Sequence, residues 1–175
     1  MGVQQAITQQ QLLELRRALV DNVRELALDA KVLHEAGRET RALALAVFSM
    51  EEMVKLFVVD AAERTLRAGQ PVDWVPLWKE MTNHMVKTGL MVLLGKGLQQ
   101  RTPQTFDELT SLFQGELPVK EAADLQRKKE DALYVGFSQN RVRNPSAAVG
   151  PELAKSSLGI VDGITKLLNS IDWDD

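Results

Sequence analysis

The sequence predicts an all-α protein, an antiparallel helical bundle with a long loop before the last helix. Apolar residues recur every three or four positions along most of the chain, and no segment alternates between apolar and polar residues as a strand does. Glycines and prolines cluster between the periodic segments. A length of 175 residues, with 45% apolar and 26% charged residues, suits one domain over residues 1–175.

The first two predicted helices are the longest. Leucines spaced by three and four predict a helix over about Ile7 to His34, and Gly37 is the expected stop because glycine tolerates the left-handed residue after a helix. The second helix starts near Arg38 and ends before the breaker at 69–71. Its middle is apolar on nearly every side, so we expect it to be the buried, central helix of the bundle.

The third helix is predicted from about Pro76 to Gln100, because proline suits the first turn of a helix. Three glycines weaken its second half, where a kink or an early end is plausible. Its expected buried stripe is Trp78, Met81, Met85 and Val92. A shorter helix over roughly Phe106 to Phe113 follows Thr105, a favourable capping residue.

Two more helices complete the prediction. Pro118 opens one that runs to about Leu133, and a last helix spans about Pro151 to Ser170. Between them, Tyr134 to Gly150 has no periodic pattern and predicts a long ordered loop, without strands, of a length that often carries function.

Composition excludes several classes of function. The chain has no cysteine, so disulfides, thiolate metal ligands and a cysteine nucleophile are absent. A net charge of −3 argues against a globally basic nucleic-acid-binding protein. Residues 1–6 lack the pattern of a signal peptide, and no apolar run approaches the ~20 residues of a membrane span, so we expect a cytoplasmic protein without membrane contact.

A group of charged residues interrupts the apolar second helix. Glu51, Glu52 and Lys55 share one flank, and the turns before and after them on that flank are apolar. Buried charges must be paired. We expect Lys55 to pair with Glu51, and Glu52 then needs a different partner. His84 faces the core on the next helix with Lys87 one turn on, which predicts a shared cluster.

Two alternatives stay open for this cluster: a structural ion pair with a hydrogen-bonded histidine, or a functional site. A di-iron site requires Glu-x-x-His on two helices, and neither histidine has that partner. A single-metal site from Glu51, Glu52 and His84 is disfavoured because Lys55 competes with a cation. We therefore expect neither a metal nor a cofactor.

Several segments together resemble the AbiV family of bacterial abortive-infection proteins, in the HEPN-like superfamily. The resemblance covers about Leu12 to Pro145. The residues that carry it are Gly37-Arg38-Glu39, Ala42-Leu43-Ala44-Leu45-Ala46, Glu51-Glu52-Met53-Val54-Lys55, His84-Met85-Val86-Lys87 and Ala132-Leu133-Tyr134-Val135.

The resemblance implies a HEPN-like helical bundle and a cytoplasmic anti-phage effector that arrests host growth. It also implies a homodimer, action on RNA or the translation machinery, and a phage-encoded protein as trigger. His84 would move a proton and a nearby lysine would hold phosphate, as in metal-independent ribonucleases. The implied catalytic group is His84, Glu51, Glu52, Lys55 and Lys87. The implied RNA- or phosphate-binding residues are Arg127, Lys128, Tyr134, Arg141 and Arg143.

One departure from the HEPN pattern bears on catalysis. The usual ribonuclease signature, an arginine followed by four to six residues and then a histidine, is absent before His84, since Leu77, Trp78 and Lys79 occupy the eligible positions. Whether the chain is an enzyme therefore stays open. The alternative is a non-catalytic helical module that sequesters a phage or host protein.

Two further residues have more than one interpretation. Tyr134 closes one helix and opens the long loop, so its hydroxyl could reach the charged cluster or its ring could anchor the loop. His34 lies at the end of the first helix, where an imidazolium complements the helix dipole, and we interpret it as structural.

Overall fold

Helices follow one another along the chain in nearly the order predicted. The computed structural model describes residues 7–100, 103–113, 116–138, 141–145 and 150–171, so residues 1–6 lie outside it. The elements are α1 (Gln9–Glu35), α2 (Glu39–Arg67), α3 (Trp74–Thr82), α4 (His84–Gln100), α5 (Phe106–Thr110) with a following 3₁₀ turn (Ser111–Phe113), α6 (Val119–Leu133), β1 (Gly136–Ser138), β2 (Arg141–Arg143) and α7 (Pro151–Ser170). The all-α prediction is confirmed apart from the two short strands.

Helices α1 and α2 form an antiparallel hairpin. Thr8 begins α1 with a reciprocal cap: its hydroxyl accepts from the Gln11 amide at 3.2 Å, and the Gln11 side chain accepts from the Thr8 amide at 2.9 Å. Gly37, with φ of 70°, ends α1 as predicted, since this left-handed conformation favours glycine. The predicted bounds of both helices are confirmed to within two residues.

Helix α2 is the centre of the bundle, as predicted. It packs against α1, α3, α4, α6 and α7. Its fully buried apolar residues include Leu43, Met53, Leu56 and Val59. A helix surrounded in this way must bury residues on all its sides, which is why its sequence is apolar all round.

The prediction of one continuous third helix is wrong. Asn83 takes an extended backbone conformation and separates α3 from α4, and its Oδ1 accepts hydrogen bonds from the amides of Met85 (3.0 Å) and Val86 (3.4 Å). Asparagine commonly satisfies free amides at a helix start in this way. The break also shifts the helical register, so Met85, predicted to be buried, is exposed.

The prediction of a strand-free loop over 134–150 is also wrong. Strands β1 and β2 pair antiparallel, with Phe137 opposite Val142. Three-residue strands are too short for alternation of apolar and polar residues to be recognised in a sequence. Residues 139–140 and 146–149 of that segment lie outside the described part of the chain.

The other predicted boundaries are confirmed. The helical segments Phe106–Phe113, Val119–Leu133 and Pro151–Ser170 match the prediction to within a residue, and Thr105 caps the first of them by accepting from the Glu108 amide at 3.2 Å. Among the described residues, every helix is too short or too polar to cross a membrane.

Candidate functional site: a buried carboxylate beneath an exposed histidine

A buried carboxylate on α2, Glu51, binds three side chains from two other helices. Only 2% of Glu51 is exposed. Its Oε1 accepts a hydrogen bond from Lys129 Nζ at 2.5 Å, while its Oε2 lies 3.3 Å from His84 Nδ1 and 3.5 Å from Lys87 Nζ. We call Glu51, His84, Lys87 and Lys129 the Glu51 cluster. It joins α2, α4 and α6.

Local sequence places each member of the cluster. Because Asn83 ends the preceding segment, His84 is the first residue of α4 and Lys87 follows one turn later, facing α2. The Thr88 hydroxyl, which is buried, donates to the His84 carbonyl at 2.7 Å. The first turn of α4 therefore presents both His84 and Lys87 to Glu51.

Lys129 reaches Glu51 from the buried face of α6. Ala122 and Ala132, seven residues before and three after it, are also buried, so Lys129 lies on the apolar stripe of an otherwise polar helix. Its Nζ also lies 5.3 Å from the centre of the Phe48 ring, a cation–π contact.

Electrostatics keep Glu51 ionised. Burial by itself raises the pKa of Glu51, but the hydrogen bond and charge of Lys129, with the charges of Lys87 and His84, outweigh it and hold that pKa below the ordinary value. An ionised carboxylate can only accept, so His84 donates from Nδ1–H and leaves Nε2 unprotonated when the ring is neutral. The prediction that His84 faces the core is wrong: at the first position of α4 its side chain is 59% exposed, so the cluster meets solvent through the imidazole.

The predicted ion pairing within α2 is wrong in detail. Lys55 pairs with Glu52, at 2.6 Å between Nζ and Oε1, and not with Glu51. Both side chains of this pair are partly exposed, at 22% and 18%. Glu51 rather than Glu52 faces His84. A helical wheel places both carboxylates on the flank but does not show which one faces α4 and α6.

The three successive basic residues 127–129 of α6 do not all face the same way. Lys129 turns inward, whereas Arg127 and Lys128 are exposed, and Arg127 pairs with Asp124 at 2.9 Å. Tyr134 is 66% exposed at the end of α6, so it lies on the surface and does not reach the cluster.

The remaining predicted phosphate-binding residues, Arg141 and Arg143, lie in β2 opposite Ser138 and Gly136. The other histidine, His34, joins the end of α1 to the start of α2, with its Nδ1 2.6 Å from Glu39 Oε2. Binding of RNA or phosphate by any of these residues stays a prediction.

Sequence reasoning missed Lys129 as a cluster member and missed a second buried carboxylate. Glu63, also 2% exposed, binds Arg16 at 2.9 Å and Arg67 at 2.7 Å. The signal for Lys129 was its spacing from Ala122 and Ala132. The signal for Glu63 was its position one turn after the buried Val59.

The described residues include no group of three or more histidine, aspartate or glutamate side chains placed to hold a metal ion. In the Glu51 cluster, two ammonium groups occupy the positions around the carboxylate that a cation would take.

A bundle of helices packed around a central helix fits the HEPN type of protein, which is helical. The family model HEPN_AbiV, described as AbiV, matches residues 11–166, so the chain belongs to the AbiV family. The resemblance seen in the sequence is confirmed, and it places the chain in the context of abortive infection, a defence against phage. Neither curated proteins nor solved structures give a match.

Proposed function

We propose that this protein is an abortive-infection effector that arrests growth of the phage-infected host by acting on RNA or the translation machinery through His84. Family membership supports the context. One observation carries the choice of residue: His84 is largely exposed while its Nδ1 is held by a buried, ionised carboxylate. The same proposal includes cytoplasmic action, a homodimer, and a phage-encoded protein as trigger.

In this arrangement, the His84 imidazole can transfer a proton. A carboxylate that accepts a hydrogen bond from Nδ1–H fixes the orientation and the tautomer of the imidazole. Nε2 can then accept a proton from a substrate that approaches from solvent. On RNA, the 2′-oxygen would attack the adjacent phosphorus as Nε2 takes its proton. The bond from phosphorus to the 5′-oxygen would then break, and the proton would pass to that oxygen.

The two lysines contribute charge rather than direct contact. Lys87 and Lys129 are only 6% and 5% exposed in their side chains, and both face Glu51. With one carboxylate between two ammonium groups, the buried part of the cluster carries a formal charge of +1. A positive field beneath His84 favours the approach of a phosphate and the negative charge that develops during its transfer.

Growth of phage-challenged cells tests this proposal. Cells expressing the wild-type chain should stop growing after infection, and His84→Ala should relieve the arrest. His34→Ala is the matched control, because His34 also contacts a glutamate through Nδ1 but lies outside the cluster. Full arrest by a folded His84→Ala protein would remove His84 from the mechanism.

A second candidate, a binding module that sequesters a phage or host protein, is favoured by three exposed side chains at and next to the β1–β2 ribbon. Around the β1–β2 ribbon, Tyr134, Val135 and Val142 are 66%, 72% and 70% exposed. Apolar side chains grouped on a surface are typical of protein-binding sites. This candidate predicts that Val135→Asp and Val142→Asp abolish the arrest while His84→Ala leaves it intact, which is the reverse of the first pattern.

A further inference from the structure

A cleft lies between the α1–α2 turn and the two segments that flank the β1–β2 ribbon, and none of its lining residues belongs to the Glu51 cluster. Its volume is about 490 Å³, within the range of roughly 300–1,000 Å³ that small-molecule sites occupy. Residues 37–41 line it from the turn and the start of α2, while Val135 and Pro145 line it from either side of the ribbon. We call this space the Arg38 cleft.

Two guanidinium groups line the Arg38 cleft, those of Arg38 and Arg41. Arg41 Nη1 donates to the Leu133 carbonyl at 3.3 Å, which ties this side chain to the end of α6. Within the part of the chain that the structure describes, neither guanidinium is paired with a carboxylate. Because a guanidinium has five N–H donors, most of the donors of both arginines are available to a ligand.

A carboxylate also lines the cleft, that of Glu39, but it already has a partner. Its Oε2 lies 2.6 Å from His34 Nδ1, across the α1–α2 turn. Two guanidinium groups and one carboxylate give the lining a formal charge of +1 when His34 is neutral. The cleft therefore attracts an anion.

The two arginines favour a phosphate over a carboxylate as that anion. A carboxylate has two oxygens in one plane, and a single guanidinium satisfies both through parallel hydrogen bonds. A terminal phosphate has three acceptor oxygens that point in different directions and a charge of about −1.5 to −2. It can accept hydrogen bonds from two guanidinium groups at once, so it uses both Arg38 and Arg41.

Val135 and Pro145 add an apolar surface to the same cleft. Pro145 is buried, whereas Val135 is largely exposed. Small-molecule sites combine apolar side chains with a few polar groups that fix the orientation of the ligand. A ligand that suits this lining has a phosphate at one end and an uncharged ring system at the other, as a nucleotide has.

We infer that the Arg38 cleft binds a nucleotide through its terminal phosphate. Arg38 and Arg41 hold the phosphate oxygens, and the nucleoside part covers Val135 and Pro145. A free nucleoside monophosphate and the 5′-phosphate end of an RNA carry this same group. The cleft shares no residue with the Glu51 cluster, so the inference does not depend on the role proposed for His84.

Isothermal titration calorimetry of the full chain with adenosine 5′-monophosphate (AMP), adenosine and inorganic phosphate tests the inference. AMP should bind more tightly than inorganic phosphate, and roughly tenfold or more tightly than adenosine, because hydrogen bonds to a charged group are strong. Arg38→Gln and Arg41→Gln should each weaken AMP binding by roughly tenfold or more for the same reason.

Arg17→Gln is the matched control, since it removes an exposed arginine of α1 that does not line the cleft, and it should bind AMP like the wild type. Arg38 and Arg41 are also exposed, so all three variants should melt close to the wild-type temperature. A loss of binding in the two cleft variants then reports on the site and not on misfolding.

Two RNA pentamers of one sequence, with and without a 5′-phosphate, identify the source of the phosphate. Tighter binding of the phosphorylated pentamer, weakened by Arg38→Gln and Arg41→Gln, would support the inference and assign an RNA end. Equal binding of the two pentamers, with AMP bound as expected, would support a free nucleotide. A phosphate that adds no affinity, either in AMP over adenosine or in the pentamer, would overturn the inference. Equal binding of the phosphorylated ligand by the wild type and both cleft variants would also overturn it.

Discussion

Replacing Glu51 with glutamine tests the energetic importance of the cluster. The change keeps the size of the side chain but removes the negative charge between Lys87 and Lys129, whose side chains are 6% and 5% exposed. An amide has one acceptor oxygen, so at least one buried ammonium group loses its partner. Removing one member of a buried ion pair costs about 3–5 kcal/mol, because the remaining charge stays buried.

The neighbouring residue provides a matched control. Glu52 is also on α2 and also pairs with a lysine, Lys55, but both side chains of that pair are partly exposed. Such pairs contribute about 0–1 kcal/mol. Glu52→Gln should therefore lower the free energy of unfolding by less than about 1 kcal/mol, a difference from Glu51→Gln that chemical denaturation followed by circular dichroism resolves easily.

The pH dependence of the Glu51→Gln effect gives a second readout. The pKa of Glu51 in the folded protein lies below the ordinary value of 4.5. A carboxylate of this kind stabilises the fold fully above its unfolded pKa, and the contribution is lost as the pH falls through the folded pKa. The gap in stability between wild type and Glu51→Gln should be widest near neutral pH and should narrow below pH 4.5.

Two results would refute this reasoning. Equal losses of stability in Glu51→Gln and Glu52→Gln would mean that the buried charges are not held as the structure places them. A gap between wild type and Glu51→Gln that does not narrow in acid would mean that the ionised form of Glu51 is not the one stabilised by folding.

Three further predictions concern stability and can be measured in the same denaturation experiments. Lys129→Met should cost about 3–5 kcal/mol, since it removes the 2.5 Å hydrogen bond to the buried carboxylate; a loss below 1 kcal/mol would contradict this. Asn83→Ala should cost about 1 kcal/mol, because two amides at the start of α4 lose their acceptor; an unchanged midpoint would count against the cap. Gly97→Ala should destabilise, because a Cβ there would lie 2.9 Å from the Leu112 side chain, whereas Gly95→Ala should not, because its nearest atom is 3.7 Å away; the opposite order would contradict the packing of α4.

The sequence predicted the long helices well because their signals are repeated over many residues. α1 and α2 carry seven or more turns of apolar periodicity, and Gly37 and Gly69 mark their ends with positive φ. Asn83 gave a weaker signal, because asparagine in a helix and asparagine at a helix start look alike without the neighbouring contacts. The hydrogen bonds that Asn83 Oδ1 accepts from the amides of Met85 and Val86 show that this asparagine begins a helix.

The sequence predicted members of the candidate site, among them Glu51 and His84, but not how Glu51 is paired. Charged residues in an apolar setting identified α2 and His84 as places where ions must be paired. The actual partner of Glu51, Lys129, lies 78 positions later in the sequence, in a stretch where its neighbours Arg127 and Lys128 are exposed. A contact over that separation depends on how α6 packs on α2, and the pattern of a single helix does not contain that information.

RNA profiling of phage-challenged cells, after induction of the wild-type chain or of His84→Ala, measures whether the protein acts on RNA through His84. We expect changes in RNA abundance or integrity, or in ribosome-associated RNA, that appear with the wild type and with His34→Ala and disappear with His84→Ala. The same changes in cells that contain folded His84→Ala protein at the wild-type level would contradict it.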